Sequence, residues 1–417
     1  MKKLMVLGGS LCQRNAVLRG KALGYEIILA DYTQSPPAAS DAALHIPIST
    51  FDAEGCIKAA KDLAIDGVMT MGTDQPVLTA ALTADALSLP ALHTPQQAKA
   101  ITNKKVMKAQ FREHGLPTAG YLLVNETTDS ETLRTFEKSI RANDHGNVVL
   151  KPLDAQGQRG VFLLDSACSV QAYLTQTLAF SRESEALLEE YYPSDELTVS
   201  GWIENGNLTI LTVTDRILLK DPLHIGICTS HRFPSMHMHR YEEIEALCKK
   251  ITEAFALRSG PLYVQLLLGD QGFLINEIAG RIGGAFEDII IPEITGFSIL
   301  DAVINSSLGM ETDTSALEHY HCPDSRVQAS VQLMFANPGE ISWITPQEQL
   351  LKLNDVIACG YNYQVGDQIK QIENATARFG HCVLIAKEGH LQPSIEAFRK
   401  TFQILDEKGK NLWKPLI

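Results

Sequence analysis

One stretch of the chain, INEIAGRIGGA at 275–285, places a carboxylate, a guanidinium and two adjacent glycines within a few residues of each other. It follows an apolar run, 262–269, across a turn written GDQG. If the two runs pair as antiparallel strands through that turn, Gln265 and Glu277 lie side by side and offer oxygens to a hard cation. Magnesium accepts one or two protein carboxylates and takes its other ligands from phosphate and water. The pattern therefore predicts a magnesium site, and a surface carboxylate on a half-exposed strand is the alternative.

A second group of residues has the chemistry to bind phosphate. Lys151 ends a β-branched run and precedes a glycine-bearing loop, DAQGQRG at 154–160. Backbone N–H groups in such a loop can cradle phosphate oxygens while the lysine supplies charge. Lys104 lies in a basic segment, 101–121, that is predicted to be helical, and alone it is compatible with an ordinary solvated lysine.

The segment 224–239, HIGICTSHRFPSMHMH, has an unusual local composition. Its histidines raise the question of a zinc site, but His237 and His239 are expected to alternate on a strand, distant from His231, with no carboxylate close by. We favour a substrate loop in which His231 and Arg232 face an anionic group. Ordinary surface is the alternative.

Composition limits the class of protein. The chain has 417 residues, of which 45% are hydrophobic and 20% charged, so two or three folded domains are expected. Its net charge of −13 argues against a nucleic-acid partner. No run approaches the roughly 18 apolar residues of a membrane span, and the short apolar start does not make a signal peptide. The eight cysteines are scattered without zinc spacing, which favours reduced thiols and a cytoplasmic protein.

The elements that must position these residues differ along the chain. Residues 1–97 alternate short strands and helices, which predicts a Rossmann-like parallel α/β domain with active groups at the strand carboxyl ends. Gly8-Gly9 followed by Asp31 suggests a dinucleotide site, but the turn is not GxGxxG and a tight turn needs glycine in any case. From about residue 98 the pattern is α+β, and the tail, 311–417, shows no site pattern of its own.

The order of these pieces resembles the ATP-grasp superfamily over roughly residues 1–310. INEIAGR is similar to the NExAPR signature of the ATP-grasp enzyme that makes carboxyaminoimidazole ribonucleotide, while the following double glycine is closer to the amino-acid ligases. The resemblance implies a preATP-grasp domain at 1–97 and an ATP-grasp domain at 98–310. It also implies a mobile lid at about 120–188 and a small C-terminal α+β region at 311–417.

The resemblance also assigns roles to residues. Lys104 and Lys151 would contact ATP phosphates, Gly157 and Gly160 would belong to the lid loop, and Arg281 would bind the reacting carboxylate or its phosphate. At the nucleotide, Glu189, Glu190 and Tyr191 would lie by the adenine and Glu196 by the ribose. Glu277 and Gln265 would bind magnesium (or manganese). The substrate would be bound by Gly283, Gly284, His231 and Arg232. Lys151, Glu277 and Arg281 would be catalytic.

The expected function is that of an ATP-dependent carboxylate–amine ligase that forms an amide through an acyl phosphate and releases ADP and phosphate. Its partners would be small carboxylate and amine substrates, and a homodimer is expected. Three positions depart from family patterns: Gln265 replaces a common acidic ligand, Ala279 a common Asn, and Gly280 the proline of NExAPR. Two alternatives stay open: the likeness to NExAPR suggests a carboxylating enzyme that activates bicarbonate, and Gln265 and Ala279 suggest an ATP-binding regulatory protein.

Overall fold

The computed structural model describes residues 1–141, 146–219 and 225–414. The N-terminal elements are β1 (Lys3–Leu7), α1 (Leu11–Ala22), β2 (Glu26–Ala30), β3 (Leu44–Ile46), α2 (Ala53–Asp62), β4 (Gly67–Met69), α3 (Gln75–Leu87) and α4 (Pro95–Ala100). The strands form a parallel sheet in the order β3-β2-β1-β4, as predicted. Most residues of β1 and β2 are buried because helices cover both faces of such a sheet.

The turn after β1 explains the supposed dinucleotide signal. The carboxylate of Asp31 accepts hydrogen bonds from the backbone N–H groups of Gly9 and Thr33, each at 2.8 Å. Gly8 has a φ of 98°, a conformation that favours glycine. Asp31 and the glycines therefore stabilise the turn of the first βα unit.

The next elements include a small antiparallel sheet, called the lid sheet below because most of it lies within the predicted lid region, 120–188. They are α5 (Lys104–Glu113), β5 (Tyr121–Val124), α6 (Ser130–Arg141), β6 (Val148–Pro152), β7 (Phe162–Leu164), α7 (Val170–Leu178) and β8 (Ala186–Glu190). The strand order is β5-β8-β6-β7. Valine and leucine side chains on one face of the sheet pack against α6 and α7 and form a core separate from the main one.

A larger sheet makes up the centre of the molecule. Its first elements are β9 (Asp195–Glu204), β10 (Asn207–Leu218), β11 (Cys228–Phe233), α8 (Tyr241–Ala254), β12 (Gly260–Gly269), β13 (Gly272–Ala279), α9 (Glu287–Thr295) and α10 (Ile299–Ser307). The strands pair antiparallel, and the GDQG turn joins β12 to β13 as the sequence predicts. The main hydrophobic core lies between this sheet and its helices and continues into the N-terminal domain.

The C-terminal region extends the same sheet. Its elements are β14 (Val327–Met334), β15 (Gly339–Glu340), β16 (Trp343–Ile344), α11 (Gln347–Leu350), β17 (Val356–Tyr361), β18 (Gln368–Ile369), β19 (Gly380–Lys387), α12 (Leu391–Thr401) and β20 (Ile404–Leu405). The full order is β13-β12-β9-β10-β11-β14-β19-β17. The domain boundaries remain predictions, but one sheet crosses the proposed boundary at 310. The chain after 310 can therefore contribute residues to the face that β12 and β13 line.

The described helices were also compared with the length and composition of a membrane span. No single described helix is long and apolar enough to cross a membrane. Only α9 and α10 taken together pass, by length and composition, and they are bent by 113° at their junction.

Candidate active site

A large cavity, about 590 Å³, lies where the N-terminal elements, the lid sheet and the central sheet meet. Its lining includes Gly72–Asp74 after β4, Lys104, the loop 155–159, and residues at the end of β13. A smaller pocket of about 90 Å³ extends it between β6, β8 and β12. The two share Lys151, Gln158, Val161, Arg216 and Asn276 as lining residues. Together they make a long site with a narrow inner end.

Gln265 and Glu277 are paired in register on β12 and β13, as the turn predicts. A register shift follows Gln265, so the regular alternation of β13 is broken at Asn276. As a result both Asn276 and Glu277 line the large cavity. The Asn276 side chain accepts from Lys151 Nζ at 3.2 Å and donates to Gln265 Oε1 at 3.3 Å. Asn276, which the sequence pattern did not single out, therefore links the phosphate lysine to the predicted metal pair.

Lys104 lies close to Glu277 because of how α5 begins. Asn103 caps this helix, its side chain accepting from the backbone N–H groups of Lys105 and Val106. Lys104 Nζ lies 3.4 Å from Glu277 Oε2, and both side chains are about one-fifth exposed. Burial alone would raise the pKa of Glu277, but Lys104 and Lys151 outweigh burial and lower it. Glu277 is therefore an anion at the centre of a cationic site.

Glu189 makes contacts other than those the resemblance implies. Its carboxylate is 3% exposed and forms ion pairs with Lys108 Nζ at 2.6 Å and Lys151 Nζ at 2.5 Å. Burial opposes ionisation, but the two lysines lower the pKa of Glu189 to about 2. Burial lowers the pKa of Lys108, whereas attraction to Glu189 exceeds the effect of burial at Lys151 and raises its pKa. The structure thus places Glu189 where it holds Lys151 in position, at the wall of the smaller pocket.

Lys108 was missed by the sequence analysis, although a signal for it exists. It stands one helical turn after Lys104, so the two ammonium groups lie on the same face of α5. A lysine that is only 1% exposed needs a carboxylate partner, and Glu189 supplies it. The spacing of Lys104 and Lys108 was therefore the available clue.

The other predicted nucleotide residues line the smaller pocket. The backbone N–H groups of Glu190 and Tyr191 already donate to the carbonyls of Gly120 and Asn147. Glu196 forms an ion pair with Arg216, which the sequence analysis also missed. Burial opposes the charge on Arg216, but Glu196 outweighs this effect and raises the pKa of the guanidinium.

The predicted lid loop closes over the large cavity and contacts the C-terminal region. Gly157, Gln158 and Gly160 all have φ between 64° and 69°, so the loop has a left-handed turn at its tip. The carbonyl of Gly157 accepts from the backbone N–H of Ala375 at 2.9 Å. Thr177 on α7 donates to the carbonyl of Gly160 and fixes the far end of the loop.

Arg281 is held by an aspartate from the N-terminal domain. Its Nε donates to Asp74 Oδ1 at 2.6 Å, and its guanidinium lies 4.5 Å from the centre of the Tyr263 ring. The two glycines that follow permit close packing: a Cβ at Gly284 would lie 2.6 Å from the carbonyl oxygen of Gly72. A Cβ at Gly283 would lie 2.1 Å from the Glu287 carboxylate. The double glycine thus brings the two domains together beside Arg281.

The histidine segment only partly fits the prediction. His231 on β11 lines the cavity, and Arg232 points away, its guanidinium donating to Gln392 on α12. Side chains of neighbouring strand residues point to opposite faces, so both residues cannot face one anion. The prediction that His237 and His239 alternate on a strand is wrong, because β11 ends at Phe233.

A short 3-10 helix, Met238–Arg240, replaces the expected strand. His224 lies outside the described residues. Among the described residues there is no group of three or more His, Cys, Asp or Glu side chains placed to hold a metal ion. Glu277 and Gln265 are two oxygen donors that lie side by side on the wall of the large cavity.

The C-terminal region, whose sequence shows no site pattern of its own, contributes side chains to the cavity. Arg378 and His381, at the start of β19, line the cavity together with Asn362 and Thr376. The His381 ring stacks on Phe286 with centroids 3.5 Å apart. Burial lowers the pKa of His381, and that of His231, to about 3, so both rings are neutral at pH 7. Sequence alone gave no signal for these residues because they reach the site only through the pairing of β14, β19 and β17 with the central sheet.

Comparison with known proteins shows what the chain is similar to. Residues 145–288 match a family model described as an ATP-grasp domain. A dapdiamide A synthase from Enterobacter agglomerans is 23% identical over 294 residues, a match that spans 68% of this chain and 66% of the relative. An L-arginine-specific L-amino acid ligase from Bacillus subtilis is 22% identical over 317 residues, spanning 73% of this chain and 72% of the relative.

The fold agrees with the sequence matches. The crystal structure of an L-amino acid ligase from Bacillus licheniformis superposes with a TM-score of 0.78 at 16% identity, covering 98% of this chain and 99% of that one. Residues 145–288 therefore form an ATP-grasp domain, and the chain as a whole has the fold of the superposed ligase.

Proposed function

We propose that the protein is an ATP-dependent carboxylate–amine ligase that acts on small carboxylates or amino acids. The observation that carries this proposal is the convergence of Lys104, Lys151, Glu277 and Arg281 on one cavity. Such groups neutralise charge that spreads over phosphoryl oxygens during transfer. The named activities of the curated relatives support the same conclusion.

The reaction has two steps. In both, the residues of the site hold the reactants in position and neutralise negative charge on them. In the first, the carboxylate oxygen attacks the γ-phosphorus of ATP, ADP leaves, and an acyl phosphate forms. In the second, the amine nitrogen attacks the acyl carbon, phosphate leaves with the C–O bond electrons, and an amide results after loss of a proton. Lys151 and Lys104 hold phosphate oxygens, and Arg281 orients the reacting carboxylate.

Magnesium, or manganese in its place, fits the donor set. Glu277 is an anion and Gln265 lies opposite it, which supplies the one or two protein ligands that magnesium requires beside phosphate oxygens. When bound, the ion would neutralise charge on the phosphates. Because Gln265 is uncharged and its oxygen already accepts from Asn276, we expect metal affinity to depend strongly on the nucleotide.

The test is a screen of amino acids and small carboxylates, singly and in pairs, for phosphate release from ATP. The proposal predicts ADP and phosphate in equal amounts and only when both a carboxylate and an amine are present. Phosphate release that depends on bicarbonate alone would favour the carboxylating alternative. Tight ATP binding with no turnover under any condition would favour a regulatory protein. A homodimer remains a prediction that sedimentation velocity would check.

A further inference from the structure

The segment that carries Arg281 makes hydrogen bonds to the N-terminal elements on both sides of that residue. After Arg281, the carbonyl of Ile282 accepts from the backbone N–H of Gly72 at 3.0 Å. Before Arg281, the carbonyl of Gly280 lies 2.9 Å from Nε2 of His93. The backbone around Arg281 is therefore fixed at two carbonyls, and His93 supplies one of the two anchors.

His93 lies in the connection between α3 and α4 and is 6% exposed. Burial lowers the pKa of His93, although its hydrogen bond to Gly280 opposes this effect. The ring is therefore neutral at pH 7, with one nitrogen that donates and one that accepts. A carbonyl oxygen can only accept, so the proton of the neutral ring is on Nε2, where it points at Gly280.

Packing alone does not account for a histidine at this position. With the proton on Nε2, the other ring nitrogen, Nδ1, is a buried acceptor, and it has no hydrogen-bond partner in the part of the chain that the structure describes. The ring lies among apolar side chains, including Val77, Leu92 and Val303. An apolar residue would fill this place without leaving an acceptor unpaired, which is costly in a buried position. The hydrogen bond to Gly280 is what the histidine adds.

Gly280 leaves the room that the imidazole needs. A Cβ at this position would lie 2.3 Å from His93 Nε2 and 2.6 Å from Ile101 Cδ1, closer than non-bonded atoms approach each other. The NExAPR signature has proline at this position, and proline carries a Cβ and a ring. The glycine and the histidine therefore depend on each other, and the departure from NExAPR at Gly280 has a structural partner in His93.

The contact falls where the sheet stops holding the chain. β13 ends at Ala279, whose partner on β12 is Tyr263, so Gly280 is the first residue beyond this pairing. Glu277 lies within the paired part of β13 and does not need the histidine to stay in place. Arg281 lies one residue past Gly280, and a small shift of its backbone would move its guanidinium in the cavity.

We propose that His93 is a positioning residue for Arg281: by holding the carbonyl of Gly280, it fixes where the guanidinium meets the reacting carboxylate. This inference rests on the proposed ligase function, in which Arg281 orients that carboxylate. His93 lines a separate small cavity of about 40 Å³, so it acts through Arg281 rather than on the substrate. The phosphate lysines belong to α5 and β6, so the effect of His93 is specific to the carboxylate.

The experiment compares His93→Leu, which fills the space without a donor, with His93→Gln, whose amide can donate to the same carbonyl. Hydroxylamine serves as the amine, and ATP and the carboxylate that gives the fastest phosphate release are varied in turn. In His93→Leu the kcat/KM for the carboxylate should fall about 10-fold or more, because misplacement of an orienting group is costly, while the KM for ATP changes little. His93→Gln should recover most of this loss.

The matched control is His45→Leu. His45 Nε2 also lies 2.9 Å from a backbone carbonyl, that of Asp31, but the bond lies within the first βα units and away from Arg281. Its kinetic constants should therefore be those of the wild type. A carboxylate-specific loss in His45→Leu equal to that in His93→Leu would overturn the inference, because any weakening of the N-terminal elements would then have the same effect.

Gly280→Ala tests the contact from the opposite side. Its Cβ would displace the ring of His93, so the same carboxylate-specific loss is expected. His93→Leu added to Gly280→Ala should lower the kcat/KM for the carboxylate little further, because the two changes break one contact. If His93→Leu does not fold, near-wild-type kinetics in His93→Gln with a carboxylate-specific loss in Gly280→Ala support the inference, and any other pattern overturns it.

The outcomes that contradict the role of His93 differ from those that contradict the ligase. Additive losses in the double variant, equal losses for ATP and the carboxylate, or wild-type kinetics in His93→Leu would each overturn the positioning role while the ligase proposal stands. A wild type that forms no hydroxamate from any carboxylate would contradict the ligase proposal, and this inference with it.

Discussion

The two cationic regions of the cavity balance their charges in different ways. In the lysine cluster, formed by Lys108, Lys151 and Glu189, a buried ammonium group and a partly buried one share one buried carboxylate. In the arginine wall, formed by Arg281 and Arg378, one guanidinium has Asp74 as a partner and the other has no ion pair among the described residues. The lysine cluster therefore holds the lid sheet and α5 in place before a ligand arrives. The arginine wall keeps part of its binding capacity for substrates.

The largest expected effect is on stability, from removal of the shared carboxylate. Glu189→Gln leaves Lys108 buried without its carboxylate partner and removes the anion beside the partly buried Lys151, which should cost about 3–5 kcal/mol of unfolding free energy. Chemical denaturation measures the change. The matched control is Glu185→Gln, which breaks the more exposed pair with Lys105 and should change stability little because solvent screens that pair. Similar values for the two variants would mean that the lysine cluster does not hold the fold together.

The next effect is on turnover. Glu277→Gln should lower kcat about 10²–10³-fold, because a negative charge beside the phosphates is lost from a preorganised site. ATP binding should persist, because the smaller pocket and both phosphate lysines remain. Equilibrium binding of a non-hydrolysable ATP analogue and steady-state kinetics separate these results. Full activity in this variant would show that turnover does not need the Glu277 carboxylate.

A third prediction concerns pH and the C-terminal side of the cavity. The folded-state pKa of His381 is about 3, below the usual value of 6.5, because the ring is buried. The unfolded chain therefore binds a proton that the folded protein does not, and stability falls as pH decreases from about 6.5 towards 3. The slope for this one group is about 1.4 kcal/mol per pH unit.

His381→Asn should remove one such contribution. Loss of the stack on Phe286 changes the absolute stability as well, so the slope of unfolding free energy against pH is the informative quantity. His231, whose folded-state pKa is also about 3, should keep contributing its own slope in the variant. An unchanged slope in His381→Asn would show that His381 titrates normally in the folded protein.

The smallest effect is local and concerns the lid loop. Between Leu153 and Gly160 the loop is fixed at its ends, and near its tip the hydrogen bond from Ala375 to Gly157 joins it to the C-terminal region. Hydrogen exchange in 154–161 should slow when a non-hydrolysable ATP analogue and magnesium bind, because the loop N–H groups gain phosphate acceptors. Residues 6–12 should change little. The reverse pattern would place the nucleotide in the N-terminal sheet.

Local pattern was sufficient to predict the hairpin that carries the metal pair. The GDQG turn fixes how β12 meets β13, so the side-by-side placement of Gln265 and Glu277 followed from turn chemistry alone. The alternating strands and helices of the first hundred residues likewise predicted a parallel sheet. These features depend on interactions between residues that are close in the chain, so a single sequence is enough to predict them.

Long-range partners were not predictable from the same rules. Nothing in the local sequence shows that Asp74 pairs with Arg281, that Glu189 lies between two lysines, or that Arg378 reaches the cavity. Each contact depends on how separate units pack, and the pairing of β14 with β11 brings the C-terminal region to the site. The strand predicted for His237 and His239 was wrong for a different reason, because alternating histidines alone do not specify a strand.

The most direct test of the central claim follows an oxygen atom. If a carboxylate oxygen attacks the γ-phosphorus of ATP, a substrate labelled with ¹⁸O in its carboxylate must transfer one labelled oxygen to inorganic phosphate when the amide forms. Mass spectrometry of the products should find one ¹⁸O per phosphate released, with ADP in equal amount, and Glu277→Gln should slow both together. Label in AMP, or phosphate without label, would contradict activation by phosphorylation in this cavity.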